Sequence, residues 1–481
     1  MNKQENAQVA KRRKEVQAFE PQIERIRQKL PRAAQAPGAG KVFGAESHRY
    51  LLGEPLTLQQ LYELEQSWGV KLPDDFAAFL TGIGNGGTED TGGAGPYYGI
   101  YAIESLKPDV TRLGQPSHFK PIPASQDWKS ASMEEYELDD RLDDDEYDEA
   151  VADLMRGTLE IGTQGCSYEM LLSVSGDHRG RVFYMDMDSY RPFFVYESNF
   201  LDWYERWLDE IIAGFKIGVF GMTPGGSEPE LLHAAEAADS ENERSEAWKA
   251  LLRFPSLQAD TILAARHALR DPAEKARYWA LTLLASHAPE QADPLLMEDL
   301  ESVETEKRRT AVQLILWYRK QESQTFIEPL KKMAVVESDE ETFRFITYIL
   351  EAAAVEPLPL YLSAFKNPND EIREIALWQA GKSERKSEYI EDFIEILLHD
   401  PNPDIRNEAI QSLRKVTDWR LLAVYERLLE QNPSDDHDIR HNIRHRLKEY
   451  GFITQNDIKR GVPAELKQVR EMLRDIGEDR R

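Results

Sequence analysis

Residues 57–87 read TLQQLYELEQSWGVKLPDDFAAFLTGIGNGG, and this stretch decides the fold of the middle of the chain. Apolar residues recur at helical spacing on both sides of Trp68, and Gly69 separates the two halves. Pro73, followed by two aspartates, suits the start of the second half, because proline pre-sets the helical backbone and carboxylates favour the positive helix end. The pattern predicts two short helices that meet at Trp68.

Three glycines in this stretch, Gly82, Gly84 and Gly87, formally satisfy the G-x-G-x-x-G spacing of dinucleotide-binding loops. That fingerprint has to follow a strand and open a helix, whereas these glycines follow a predicted helix. We therefore expect a turn here and no cofactor site.

Five short segments further along are rich in aliphatic and aromatic residues and are separated by turns, a pattern typical of antiparallel strands. They span residues 98–103, 159–162, 170–175, 181–185 and 193–197. Helical spacing returns from Phe200 to Ile211, after Ser198 and Asn199 as a cap. The order helix, helix, strands, helix predicts an α+β domain with an antiparallel sheet.

The motifs, taken in this order, resemble the SUKH superfamily, the Smi/Knr group of yeast regulators and bacterial immunity proteins, over about residues 50–215. They are WG at 68–69, LPDDF at 72–76, NGG at 85–87, GIY at 99–101, IGTQG at 161–165, GRVF at 180–183 and SNFLDW at 198–203. The resemblance implies a non-enzymatic α+β domain whose bacterial members commonly bind and neutralise a toxin, often a nuclease. It supplies no catalytic residues. The chain departs from the pattern by a long spacer, residues 104–158.

Charge is distributed unevenly along the 481 residues, which carry 59 Lys and Arg against 86 Asp and Glu, a net charge of −27. Residues 1–49 carry +6, residues 50–226 carry −20 and residues 227–481 carry −13. Such an excess of negative charge repels a phosphate backbone, so general nucleic-acid binding is disfavoured. The start of the chain lacks the apolar segment of a signal peptide, no long apolar run is present and there is one cysteine, which together predict a cytoplasmic protein without membrane contact.

The middle segment contains an acidic run, residues 134–153, with twelve carboxylates and a single cation, Arg141. Mutual repulsion predicts that this run is extended or mobile at low salt. It could be a solvated loop or frayed helix, a docking surface for a basic protein, or a divalent-cation site, although the EF-hand pattern is missing. In the docking hypothesis the contact residues are Glu134, Glu135, Asp139, Asp140, Asp143, Asp144, Asp145 and Glu146.

The N-terminal segment, residues 1–49, reads as a basic helix followed by a linker. Val16, Phe19, Ile23, Ile26 and Leu30 form one apolar stripe, while Lys11, Arg12, Arg13, Lys14, Arg25 and Arg27 mostly face elsewhere. Pro21 interrupts the stripe and predicts a kink or a restart. We expect this helix to dock on a folded domain; a nucleic-acid or membrane arm is the alternative.

The remainder of the chain shows an internal period near 33 residues, in which an arginine precedes a small or aliphatic residue by three positions. Asp-Pro or Asn-Pro turns at residues 271, 367 and 400 predict stacked helical hairpins, which resemble HEAT-like repeats. We expect the Asx residues to cap helices and the arginines to pair with acids of the preceding unit. The expected domains are 1–49, a SUKH-like domain at 50–213, a linker at 214–229, an all-α HEAT-like solenoid at 230–450 and a capping helix at 451–481.

Few residues suggest chemistry. His437, His441 and His445 share one helical face, but their helix places them opposite its apolar stripe, which predicts solvated imidazoles and no metal site. Cys166 has no recognisable base nearby in the sequence, so a nucleophilic role is disfavoured. We expect no catalytic residue, no cofactor and no metal.

The leading hypothesis is an immunity-type protein that neutralises a basic toxin domain through the acidic segment. The alternative is a scaffold or regulatory adaptor whose repeats hold the main protein partner. An enzyme acting on DNA bases or attaching chromophores is a third possibility, opposed by the charge of the repeats. The oligomeric state cannot be read from the sequence.

Overall fold

A computed structural model describes residues 3–87, 92–132, 134–139, 141–432, 434, 438–452 and 454–479. Asp140 and His437 lie outside the described residues. The chain divides into two compact units, residues 1–287 and residues 288–481. This division follows contact density, and the domain boundaries expected from the sequence stay a prediction. No helix in the described part is both long and apolar enough to cross a membrane.

The first unit combines helices with one sheet. Its helices are α1 (Lys3–Gln17), α2 (Glu20–Ala34), α3 (Ala45–His48), α4 (Leu58–Trp68), α5 (Asp74–Gly82), α6 (Asp144–Leu154), α7 (Phe200–Ile212), α8 (Glu228–Ala237), α9 (Glu241–Leu251), α10 (Ala259–Ala268) and α11 (Glu274–His287). Its strands are β1 (Thr158–Gly165), β2 (Tyr168–Ser173), β3 (Val182–Asp186) and β4 (Arg191–Phe194).

All the regular elements in the described residues of the second unit are helices. Its helices are α12 (Pro289–Leu300), α13 (Thr305–Leu314), α14 (Ile327–Val336), α15 (Glu340–Ala352), α16 (Asp370–Ala380), α17 (Ile390–His399), α18 (Pro403–Ser412), α19 (Trp419–Gln431), α20 (Ile439–Glu449), α21 (Gln455–Gly461) and α22 (Lys467–Asp479). The multidomain architecture expected from the sequence, an α+β domain plus a solenoid-like all-α region, is therefore confirmed.

The sheet is antiparallel with strand order β1-β2-β3-β4. Four of the five predicted strand segments correspond to these strands, but residues 98–103 do not form one. Only an isolated bridge joins Gly93 to Ile100, and a 3₁₀ turn begins at Ile103. The reason is local: Gly99 has a φ of 91°, which turns the backbone out of the extended conformation that a strand needs.

The helices that precede and follow the sheet along the chain begin and end where the sequence predicts. Thr57 caps α4 with a reciprocal bond to Gln60, and Gly69 ends that helix in the left-handed conformation with a φ of 66°. Asn199 caps α7 by accepting a hydrogen bond from the amide of Asp202. α4 buries Leu61 and Trp68, and α7 buries Trp203 and Trp207, in the core on one side of the sheet.

The N-terminal segment folds as two helices with a restart just before Pro21, as predicted, and it docks on the first unit. Ile23 and Ile26 are buried, and Arg25 and Lys29 contact the carboxylate of Glu205 at 2.8 and 2.7 Å. Burial raises the pKa of Glu205, but hydrogen bonds from Arg25 and Lys29 outweigh it and hold the pKa at about 2. The predicted docking is confirmed.

Arg12 corrects one detail of that prediction, because it does not face away from the domain. Its side chain is 4% exposed, and its guanidinium contacts Glu65 at 2.6 Å and Asp74 at 2.5 Å. It also donates to the carbonyl of Leu72 at 2.9 Å. A lone buried arginine would be costly, so these acceptors are what allow a basic residue to lie at the interface of the docked helix.

The helical repeats stack as layers. In the second unit, α13, α15, α16, α18 and α20 are successive neighbours in one layer, and α17, α19 and α22 are neighbours in the other. In the first unit, α9 packs on α11. Ala376 of α16 and Ala409 of α18 are buried, and their small side chains allow these neighbouring helices to approach each other closely.

The repeat arginines pair in the direction opposite to the one expected. Arg373 contacts Asp400 at 2.8 Å, and Arg244 contacts Asp271 at 3.0 Å, so each arginine binds an acid of the following unit. The predicted Asx caps are also displaced: Asn402, two residues after Asp400, caps α18. Asp400 does not cap α18, because its carboxylate accepts hydrogen bonds from the amide of Asn402 and from Arg373 of α16.

The predicted linker, residues 214–229, includes the start of α8, and the part before that helix packs against the α+β domain. Phe220 is buried, and its carbonyl accepts hydrogen bonds from the hydroxyls of Tyr97 and Tyr184 at 2.9 and 3.0 Å. Tyr184 lies on β3, so this segment is tied directly to the sheet.

Candidate partner-binding surface

The acidic segment is anchored on the sheet by an apolar cluster separate from the main core. Successive residues of a strand point to opposite faces, so Leu171, Phe183 and Met185 face away from the helices α4, α5 and α7. On that outer face they pack against Phe119 and Tyr136, with Leu154 and Phe194 completing the cluster. The long spacer, residues 104–158, therefore covers the outer face of the sheet.

The acidic run is not extended, which corrects the expectation from charge repulsion. Most of its second half forms α6, which begins after Asp143. Asp143 accepts the amide of Glu146 at 2.9 Å while the Glu146 carboxylate accepts the amide of Asp143 at 3.4 Å, a capping box. The carboxylates gather in the first helical turn, where the helix dipole offsets their mutual repulsion.

Two arginines that pair with acidic residues of α6 further offset the repulsion among its carboxylates. Arg112 contacts Asp109 at 2.5 Å and also pairs with Glu149 of α6. Arg156 contacts Asp153 at 2.9 Å. Hydrogen bonds from Thr111 and from Arg112 lower the pKa of Asp109 to about 2.

The structure places the seven described residues of the docking hypothesis on exposed positions. Glu134 and Glu135 lie in a 3₁₀ turn that Tyr136 pins to the outer cluster, and Lys120 approaches Glu135 at 3.6 Å. Asp139 pairs with Arg141 at 2.8 Å, which lowers the pKa of Asp139. The predicted contact residues thus divide into locally paired carboxylates and free ones.

Within the described part of the chain, the carboxylates of Asp144 and Asp145 make no ion pair. The same holds for Asp148, one helical turn after Asp144, which the sequence reasoning did not select. The spacing of Asp148 from Asp144 could have indicated it, since residues four apart on a helix share a face. We define Asp144, Asp145 and Asp148 as the acidic face of α6.

The insertion that carries this face is fixed at a second place within the first unit. Asp127 contacts Lys275 of α11 at 2.6 Å. Asn242 of α9 donates to the carbonyls of Ala124 and Gln126 at 2.8 and 2.9 Å. Because its anchors lie on both the sheet and the first helical hairpins, the insertion presents α6 as a preformed surface.

A cavity of about 590 Å³ lies between the insertion and the sheet, lined in part by Tyr101, Arg112, Arg156 and Glu160. Burial raises the pKa of Glu160, and burial together with the charge of Glu160 raises the pKa of neighbouring Glu169 to about 7. Burial raises the pKa of Tyr101 to about 12.

The remaining chemical candidates are scattered. Cys166 is exposed at the tip of the β1–β2 hairpin with a φ of 53°. The Nε2 atoms of His441 and His445 lie 3.1 Å apart on α20. Over the described residues, no group of three or more His, Cys, Asp or Glu side chains is arranged to hold a metal ion.

Comparison with known proteins identifies the region that contains the helices α4, α5 and α7, the sheet and the acidic insertion. Residues 55–206 match the SMI1 / KNR4 family (SUKH-1). The resemblance drawn from the sequence motifs is therefore confirmed, and the insertion with its acidic face lies inside the matched residues. No curated protein sequence matches the chain.

Two solved structures each show a partial likeness to about half of the chain. The X-ray structure of the YibA protein of Escherichia coli has 19% identity and a TM-score of 0.36, covering 53% of this chain and 93% of that one. A designed armadillo repeat protein in complex with the peptide (KR)4 has 16% identity and a TM-score of 0.17, covering 52% of this chain and 100% of that one. Likenesses at these scores carry no argument about the SUKH-1 domain or its function.

Proposed function

We propose that this chain is a non-enzymatic cytoplasmic protein that binds and neutralises a basic toxin domain through the acidic face of α6. The SUKH-1 match supports a protein-interacting, immunity-like role for residues 55–206. The single observation that carries the finer proposal is that Asp144, Asp145 and Asp148 stand exposed and unpaired, within the described residues, on a helix with anchored surroundings.

Physical chemistry gives such a face a function. Opposite charges raise the rate of encounter, and a toxin that binds nucleic acid would present its basic surface to the helix. A preformed helix binds its partner without first having to become ordered, so little of the interaction energy is lost to immobilising the surface. Occupation of that surface would exclude the nucleic acid.

The test is recovery of a partner from the native cell with the tagged full chain. The triple variant Asp144→Asn, Asp145→Asn, Asp148→Asn removes three charges but leaves the capping box intact. The matched control is Glu430→Gln, Glu471→Gln, Asp475→Asn, which removes three exposed charges from the second unit. We expect wild type and control to retain a basic partner and to protect cells from it, and the triple variant to lose both properties. Equal retention by all three proteins would refute the role of the acidic face.

A scaffold function is the second candidate, supported by exposed aromatic residues in the second unit. Trp317, Tyr348 and Trp378 are 53%, 43% and 59% exposed, and they lie on or next to α13, α15 and α16, which are neighbours in one layer. If the full chain with Tyr348→Ala and Trp378→Ala loses its main partner while the α6 triple variant keeps it, the adaptor function holds instead.

A further inference from the structure

A second cavity, of about 560 Å³, lies within the second unit where α16, α18 and α20 are neighbours. Its lining differs in charge from the rest of the chain. Among the residues that line it are Trp378, Lys382, Glu408, Arg414, Arg446 and Lys448. Counting the whole lining, four Lys or Arg residues face two Glu residues, in a chain whose net charge is −27.

The cations of this cavity are not all neutralised. Lys382 contacts Glu351 at 2.7 Å, but Arg414 and Lys448 are exposed and make no ion pair with any described residue. Arg446 is only 11% exposed, and its Nε has no hydrogen-bond partner in the described structure. The cations of this cavity that an external anion can reach are therefore Arg414 and Lys448, which are exposed.

The two lining carboxylates offset this positive charge only in part. Glu449 lies 3.2 Å from Arg446 and accepts the backbone amide of Lys415 at 2.7 Å. Burial is the main cause that raises the pKa of Glu408 to about 7, so this carboxyl is only partly ionised at neutral pH. The cavity therefore keeps a net attraction for negative charge.

An aromatic ring borders the cationic side of the cavity. Trp378 is 59% exposed, and the Nζ of Lys382 lies 5.5 Å from its ring centroid. A flat apolar ring next to fixed cations suits a ligand that carries both carboxylates and an apolar side chain. A volume of this size holds a few side chains rather than a folded domain.

We propose that this cavity binds a short acidic peptide segment of a partner protein, with carboxylates at Arg414 and Lys448 and an apolar side chain against Trp378. A nucleic acid fits less well, because a continuous phosphate backbone leaving the cavity along α16 would meet Glu371 and Glu374. The proposal does not depend on the toxin-binding function, since it concerns the other unit and a ligand of opposite charge.

The experiment pans a phage library of random dodecapeptides on the immobilised full chain and measures the enriched peptides by fluorescence anisotropy. We expect enrichment of Asp and Glu together with an aromatic or aliphatic residue. The variant Arg414→Gln, Lys448→Gln should weaken the peptide about tenfold, the sum of two modest ion pairs, and Trp378→Ala should weaken it further. Added salt should weaken the wild-type complex.

The matched control is Lys332→Gln, Arg427→Gln, which removes two exposed cations elsewhere in the second unit. It should bind the peptide as wild type does, and thermal unfolding of all variants reports their folding. Enrichment of neutral or basic peptides, or equal binding by the Arg414 and Lys448 variant, would overturn the proposal. So would tighter binding of a single-stranded oligonucleotide than of every acidic peptide.

Discussion

Arg373 and Asp400 form a two-pronged ion pair, with Nε to Oδ2 at 2.8 Å and Nη2 to Oδ1 at 3.1 Å, and their side chains are 8% and 3% exposed. The third nitrogen of the same guanidinium donates to the carbonyl of Asn367 at 2.9 Å. One arginine thus joins the loop before its own helix to the loop before the next helix of the layer. Arg308 repeats the arrangement with Glu337 and with the carbonyl of Ser302.

The first prediction concerns the buried ion pair of Arg373 and Asp400. Arg373→Ala leaves the Asp400 carboxylate buried without its partner, so we expect a loss of about 3–5 kcal/mol in the free energy of unfolding of the second unit. Chemical denaturation followed by circular dichroism measures it. Arg344→Ala is the control, because Arg344 is 39% exposed and such surface pairs contribute less than about 1 kcal/mol. Similar losses in both variants would contradict a structural role for the buried pair.

The second prediction concerns the cap of α6. Asp143→Ala removes the acceptor for the Glu146 amide, which should cost about 1 kcal/mol and increase hydrogen exchange in the first turn of the helix. Asp144→Ala removes the same charge without removing the cap. Hydrogen exchange measured by mass spectrometry should therefore separate the two variants, and equal protection of α6 in both would show that the capping box is not what holds the helix.

Much of the fold could be predicted because it depends on local signals. Gly69 ends a helix through its backbone freedom and Asn199 begins one through its side-chain oxygen, so both were recognisable in the sequence. The direction of the Arg373 pair was not, because it depends on which loop lies beside the arginine after stacking. A helix in the acidic run was only one of the alternatives for a related reason, since Leu154 at its end packs against residues far along the chain.

The candidate surface was predicted only in part. Composition located the run, and Asp144 and Asp145 were among the residues that the docking hypothesis named. Whether a carboxylate is free depends on tertiary partners such as Arg112, which lies outside the run and pairs with Glu149. The basic cavity of the second unit could not be found from the net charge of its region, because the sum over a long segment hides a local excess of the opposite sign.

The third prediction tests the anchor of the insertion. Tyr136 is 4% exposed and packs on Phe119 at a ring-centroid distance of 5.1 Å. Tyr136→Ala should cost about 3 kcal/mol, as expected for the loss of a large buried side chain, and should release the segment around it. Limited proteolysis should then cleave within residues 104–158 before the rest of the domain. Tyr147→Ala, at a less buried position of α6, should leave the cleavage pattern unchanged; early cleavage in both variants would mean that the segment is held by other contacts.

The last prediction concerns pH. Burial, and then the charge of Glu160, raises the pKa of Glu169 to about 7 from an ordinary value of 4.5. The folded protein therefore binds this proton more tightly than the unfolded chain, so the contribution of Glu169 to stability is fully present below pH 4.5 and is lost as the pH rises through 7. Glu169→Gln keeps the neutral form at every pH, and we expect its melting temperature to exceed that of wild type at pH 8 and to match it at pH 4.5. Glu134→Gln on the exposed 3₁₀ turn is the control and should show no such difference between the two pH values. If Glu169→Gln shifts the melting temperature equally at both, the effect is steric, and the pKa of Glu169 is not raised in the folded protein.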